Sequence, residues 1–189
     1  MKLLCSGLLL SLTGRSSLAL FSPARALVES SGQVTRVRPS TRLMSSSSPI
    51  IVDSQEAKSL FFEQHTTFAV VGASSDRDKF GNKVLRAYLE TSRNAIPINK
   101  KQSSIENVPC LPDLASLCGT KDVSMVGVSV ITPPGVTKLI LEEGYRLGIR
   151  SFFVQPGTID RETIDFINTS MSGAKVIKGC VLVELGFNH

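Results

Sequence analysis

The stretch Thr66–Lys101, TTFAVVGASSDRDKFGNKVLRAYLETSRNAIPINKK, decides the fold. It runs through an apolar segment, a small-residue turn, an amphipathic segment and a second apolar segment, which is one βαβ unit of the usual length. Phe68 to Val71 is short, apolar and rich in β-branched residues, as expected of a strand buried on both faces. Gly72, Ala73, Ser74 and Ser75 form a turn with almost no side chains in the way. From about Gly81 the period changes: Val84, Leu85, Tyr88 and Leu89 recur at helical spacing, while Lys83, Arg86, Glu90 and Arg93 fall on the other side. A strand that ends in such a turn and feeds a helix brings free backbone N–H groups and the positive end of the helix dipole to one place. Phosphate is the anion that suits it.

The turn carries neither G-x-G-x-x-G nor the Walker A ending, and small residues after a first strand also occur in doubly wound proteins that bind nothing there. The second strand is more informative. Folds that bind NAD place an acidic residue about 20 positions beyond the glycines, where it accepts the ribose hydroxyls. Here the strand Ala95 to Ile98 ends in Asn99, Lys100 and Lys101. Lysines attract a phosphate at that place, so a nucleotide with a phosphorylated ribose fits better than NAD.

Outward from this unit the alternation continues. Before it, Asp53 to Gln64 reads as a helix with Asp53 and Glu56 as a capping box and Leu60, Phe61 and Phe62 as its apolar face. After it, Val108 to Leu117 reads as a tight turn into a short helix. Asp122 to Val130 is a near-continuous apolar run, expected as the third strand in the middle of a parallel sheet. Thr132 as N-cap and Pro134 in the first turn start a helix that Gly148 ends. Ser151 to Val154 is the fourth strand, Gln155-Pro156-Gly157 its turn, Ile159 to Asn168 a helix with Ile164 and Ile167 inward, and Lys175 to Ile177 a short fifth strand. The class is α/β, a doubly wound sheet of about five mainly parallel strands in a single domain. With right-handed crossovers the turns at Gly72, Thr132 and Gln155 share the carboxyl edge of the sheet, where such folds hold ligands.

The chain has 189 residues and a formal net charge of +5. Residues 1–50 contain six basic residues (Lys2, Arg15, Arg25, Arg36, Arg38, Arg42) and one acid, Glu29, so residues 51–189 balance at fifteen of each sign. The basic pI therefore says nothing for nucleic-acid binding, which needs net positive charge on the domain itself. Arg-rich, Ser-rich and poor in acids, residues 1–50 read as a targeting segment, disordered or cleaved, with processing suited to the neighbourhood of Met44. A mitochondrion is the expected destination. The apolar run Leu3 to Leu12 also allows a signal ahead of a plastid transit peptide, and an internal start at Met44 would give a cytosolic form. No run approaches the roughly 20 apolar residues of a membrane span.

Few residues suggest chemistry. Cys5, Cys110, Cys118 and Cys180 have no metal-ligand spacing, and reduced thiols are expected, with Cys110 and Cys118 as ordinary partly buried residues. His65 falls just before the first strand, at the edge away from the turns, and His189 is terminal. Asp76 and Asp78 flank Arg77 in the first loop as solvated charges. No nucleophile, base and orienting group converge.

Several ordered segments resemble the stand-alone coenzyme A-binding domain proteins, whose Rossmann-like fold is shared with the CoA-binding half of the succinyl-CoA synthetase alpha subunit. The segments are VVGAS at Val70–Ser74, KFGNKVLRAYLE at Lys79–Glu90 and PINKK at Pro97–Lys101, similar to the family's P-V-N-P-K. VPCLPDLASL, ITPPGVTKLILEEGYRLGI, FVQPGTIDRETI and CVLVELG follow in order, and the similarity extends from about Phe61 to Val183. Lys100 stands where the family usually has proline and Asn107 where a glycine is common, so the loop after the second strand is expected to differ in shape. The synthetase subunit continues into a domain with a phosphorylated histidine that this sequence does not contain. The resemblance thus implies binding of coenzyme A or an acyl-CoA without ligase chemistry and with no catalytic residues.

In that reading Gly72, Ala73, Ser74 and Ser75 hold the pyrophosphate, and Lys79, Gly81 and Asn82 close over it. Asn99 and Lys101 contact the ribose and its 3′-phosphate, Thr132, Pro133 and Pro134 wall the crevice, and Gln155, Pro156 and Gly157 line the pantetheine path. The expected partners are the nucleotide ligand and a separate enzyme or a second copy of the chain, not nucleic acid or membrane. The alternatives are an NADP-dependent oxidoreductase, which the lysines permit but which lacks a proton donor, and a regulatory or structural subunit with a vestigial site.

Overall fold

A computed structural model describes residues 50–187. Residues 1–49 of the segment read as a targeting sequence, with Cys5, and His189 lie outside the described residues. In chain order the elements are β1 (Ile51–Val52), α1 (Gln55–Gln64), β2 (Thr67–Val71), α2 (Phe80–Glu90) and β3 (Ala95–Ile98). A small hairpin follows, β4 (Ser104–Ile105) and β5 (Val108–Pro109), then α3 (Leu114–Cys118), β6 (Val126–Val130) and α4 (Pro134–Arg146). The chain continues through β7 (Ser151–Val154), α5 (Arg161–Ser170), β8 (Lys175–Lys178) and α6 (Val181–Glu184).

Six strands form one parallel sheet in the order β1-β8-β7-β6-β2-β3. Every pairing in it is parallel. The expected count of about five is corrected to six by β1, whose Ile51 and Val52 register with Val176 and Ile177. Side chains alternate across the sheet as a period of two requires. Ala69, Val71, Val128, Val130, Phe152 and Val154 face one core with Leu114 and Leu117 of α3, Leu141 of α4 and Ile167 of α5. Phe68, Val70, Phe153 and Ile177 face the other core with Phe61 and Phe62 of α1, Leu85 and Tyr88 of α2 and Val181 of α6. Both faces are thereby covered, which explains why the central strands β2 and β6 are buried at every position.

Local chemistry sets the boundaries. The first helix begins not at a capping box of Asp53 and Glu56 but at Ser54, whose hydroxyl accepts from the N–H of Ala57 at 3.2 Å. The third expected strand starts only at Val126, because Asp122 caps a 3-10 turn over Val123–Met125. Thr132 is not the cap of α4; Pro133 holds that position with Pro134 first in the helix, and Thr132 bonds instead to Thr137 Oγ1 at 2.8 Å. On β6 the small residues serve an aromatic cluster. A Cβ at Gly127 would lie 2.7 Å from the ring of Phe61, and Ser129 Oγ meets the buried Tyr88 hydroxyl at 2.7 Å. Tyr88 stacks on Phe68 with ring centroids 4.8 Å apart.

Candidate binding cleft

The order in which successive strands are added to the sheet reverses between β2 and β6: β3 lies on one side of β2, while β6, β7 and β8 extend on the other. This is the topological switch point, where a crevice opens at the carboxyl ends of a parallel sheet. A cleft of roughly 570 Å³ lies there, lined by Gly72, Lys79, Gly81, Thr132, Pro133 and the turn Gln155–Thr158. Its size is that of a small-ligand site.

Two glycines let the cleft exist. Gly72 has φ +93°, and a Cβ on it would lie 2.9 Å from the carbonyl oxygen of Ile131. The neighbouring strand ends are bound together here, with the N–H of Ile131 donating to Val71 O at 2.9 Å. At Gly81 a Cβ would lie 2.0 Å from Gly72 O. The first turn of α2 therefore rests directly on the backbone of the turn after β2, a packing that only glycine permits. No side chain caps α2 at Lys79, and Lys79, Phe80 and Gly81 reach the cleft wall. Backbone donors and the positive end of an eleven-residue helix thus meet at Gly72.

The loop between β2 and α2 is braced from below rather than left loose. Asn82 is fully buried, and its Nδ2 donates to Ser74 O at 2.9 Å and to Glu106 Oε1 at 2.9 Å. Arg77 grips the same carboxylate through Nε at 3.2 Å and Nη2 at 2.9 Å. The Asn82 hydrogen bond, then the Arg77 guanidinium, hold the Glu106 carboxyl below the usual range. Asn99 Nδ2 donates to Ala73 O at 2.8 Å, and Asn99 Oδ1 accepts from the N–H of Lys101 at 2.8 Å. The end of β3 is thus tied to the turn after β2, and exposed Lys101 is held one loop away from Gly72.

Among the residues picked out by sequence, Gly72, Lys79, Gly81, Thr132, Pro133, Gln155, Pro156 and Gly157 come together around one cleft. Asn82 does not close over that space; its side chain is spent on Ser74 and Glu106. Ala73 is buried and presents its carbonyl to Asn99. Ser74 Oγ accepts from the N–H of Asp76 at 3.2 Å, and Ser75 Oγ accepts from Gln102 at 2.5 Å. Pro134 begins α4 beside the cleft wall. Asn99 borders a separate, smaller hollow with Lys100, Val71 and Thr132, at the carboxyl ends of β3 and β2.

Phe80, Ile131 and Thr158 line the cleft as well, and no signal in the sequence singled them out. Glu106 was hidden because it belongs to a two-residue hairpin turn. Glu106 and Asn107 have φ of +48° and +62°, the pattern of a type I′ turn between Ile105 and Val108. Asn107 tolerates the left-handed region, so the departure from glycine there is accommodated.

The turn after β7 has Pro156 second and Gly157 third with φ +80°, a type II signature. The Thr158 hydroxyl donates to Gln155 O at 2.7 Å and fixes the turn. Gln155 is 6% exposed, and its Nε2 has no acceptor among the described residues. Cys180 also lines the cleft, while Cys110 and Cys118 lie elsewhere with thiols pushed up by burial. His65 sits at the other edge of the sheet beside Val126, Ser151 and Lys175. Its Nδ1–H donates to Phe61 O at 2.7 Å, and burial lowers its pKa. Among the described residues no cluster of His, Cys, Asp or Glu could hold a metal ion, and no helix is long and apolar enough to cross a membrane.

Solved structures with the same architecture include a conserved hypothetical protein from Pyrococcus furiosus, with 27% identity and a TM-score of 0.56. The match covers 62% of this chain and 97% of that one. A protein from Thermus thermophilus is 24% identical over 70% of this chain and 96% of its own, with a TM-score of 0.58. A hypothetical protein from Pyrococcus horikoshii OT3 is 19% identical, covering 70% and 89%, also with a TM-score of 0.58. Residues 66–186, which hold all eight clustered cleft residues, match the model of the CoA binding domain, and the chain belongs to that family.

Proposed function

We propose that this protein binds coenzyme A or an acyl-CoA non-covalently at the carboxyl edge of its sheet and performs no ligase chemistry. The observation that carries the reading is the contact between Gly72 and Gly81, which seats the first turn of α2 on the turn after β2 at the switch point. A diphosphate there would accept backbone N–H groups from Gly72 to Ser75 and from the start of α2, with Lys79 as the nearby cation. Asn99 and Lys101, at the end of β3, would take the ribose and its 3′-phosphate. Thr132, Pro133, Pro134 and the Gln155–Gly157 turn would flank the pantetheine arm. Among the described residues Lys79 is the one charged residue lining the cleft, and no acid–base pair of theirs lines it. The reading is therefore of a carrier, or of a subunit serving a separate enzyme.

Isothermal titration with CoA, dephospho-CoA, NADP and NAD tests it. CoA should bind, dephospho-CoA should bind more weakly, and the nicotinamide nucleotides should not compete. Tighter binding of NADP than of CoA would overturn the reading.

A further inference from the structure

A second hollow of roughly 380 Å³ lies on the far side of the Gln155–Gly157 turn, between the carboxyl ends of β7, β8 and β1. Val154, Ile159 and Ile164 give it apolar walls, Gly179 forms part of its lining, and Lys178 and Asp53 stand at it with their charges. Asp53 is already engaged, its carboxylate 2.9 Å from Lys58 Nζ. The two hollows share Gln155, Pro156 and Gly157, so a single turn separates them. Pro156 and Gly157 are exposed, and no atom lies within 4 Å of where a Gly157 Cβ would be, which leaves room for a chain to pass over the turn.

We propose that this second hollow receives the acyl group of an acyl-CoA, with short- and medium-length aliphatic acyl chains as the preferred class. The inference rests on the reading of the first cleft as the CoA site and extends it. Three observations carry it. The first is the order of sites along the sheet. Asn99 follows β3, Gly72 follows β2, Thr132 comes after β6, Gln155 follows β7, and the new hollow lies at β8 and β1. A CoA molecule laid with its 3′-phosphate toward Lys101 and its diphosphate at Gly72 points its sulfur end along that row toward the hollow.

The second is composition: the walls facing the hollow from Val154, Ile159 and Ile164 are aliphatic, suited to methylene groups. The third is Gln155. It is 6% exposed, lines both hollows and carries an amide nitrogen that finds no acceptor among the described residues. A buried donor left unpaired is costly, and a thioester or pantetheine carbonyl crossing between the hollows would satisfy it.

The test is titration of the protein with CoA and with acetyl-, butyryl-, hexanoyl- and octanoyl-CoA. Each methylene buried in an apolar site should improve affinity by about two- to fourfold until the hollow is full. Ile164→Phe, which fills the hollow from α5, should abolish that rise while binding free CoA as the wild type does. Retained CoA binding also reports that the variant is folded. A flat series in the wild type, or a rise unchanged in Ile164→Phe, overturns the acyl site even when CoA itself binds. Failure of free CoA to bind overturns the parent reading instead.

Discussion

Adding one methyl group at Gly81 should remove most of the affinity for CoA while leaving the protein folded. A Cβ there would lie 2.0 Å from Gly72 O and 3.2 Å from Ala73 Cα, whereas real Cβ atoms stay beyond 3.0 Å. The helix and the turn must part by about 1 Å to accept it, which stretches an ordinary hydrogen bond of ~2.9 Å past the range where it still counts as one. Overpacking of this kind costs ~1–3 kcal/mol, and replacing a helical glycine by alanine returns ~1 kcal/mol. The net loss of stability is therefore small enough for the fold to survive. For the ligand, each charge-assisted bond lost is worth ~1.5–3 kcal/mol, so Gly81→Ala should weaken CoA by about ten- to a hundredfold. Calorimetric titration beside urea denaturation separates the two effects. Gly135→Ala serves as the control, since nothing lies within 4 Å of a Cβ placed there. It should hold or slightly raise stability and leave CoA affinity alone. Wild-type CoA affinity in Gly81→Ala would refute the placement of the diphosphate between α2 and Gly72.

Lys101→Ala should weaken CoA by about 1.5 kcal/mol, the lower end for a charge-assisted contact because the side chain is exposed, and leave dephospho-CoA nearly unchanged in parallel titrations. Tyr88→Phe strands the buried Ser129 hydroxyl and should cost ~1–3 kcal/mol in urea denaturation, whereas Tyr88→Phe with Ser129→Ala should recover part of that loss. Glu106 has a folded-state pKa below its ordinary value of 4.5, so its contribution is complete above about pH 4.5 and disappears as pH falls through the folded value. Denaturation midpoints of wild type and Glu106→Gln should therefore differ at pH 6 and converge in acid; a constant gap would show that the carboxylate charge is not what braces the loop.

Burial pattern and turn chemistry made most of this architecture readable from sequence. The expected strands Ala95–Ile98 and Ser151–Val154 coincide with β3 and β7, because each is an apolar run closed by a polar or turn-forming residue. The clustering of Gly72, Thr132 and Gln155 followed from topology, since parallel strands deliver their ends to one edge. Elements whose cause is distant in sequence stayed hidden. β1 has two residues and exists only through its pairing with β8. The β4–β5 hairpin is equally short and includes Pro109, which argues against a strand unless it lies at an edge. Asn82 looked like a ligand contact because it opens a helix beside the phosphate turn. Its half-buried partner Glu106 lies 24 residues away, and no local pattern joins the two.

The two-residue strand β1 also limits how far the N-terminus can be trimmed. The N–H of Val176 donates to Ile50 O at 2.8 Å, and Ile51 and Val52 cover the outer side of β8. A cut near Met44 spares those contacts. A cut beyond Ile50 would strip the border of the sheet and leave the polar backbone of β8 open to a neighbouring molecule, so that over-digestion would favour self-association.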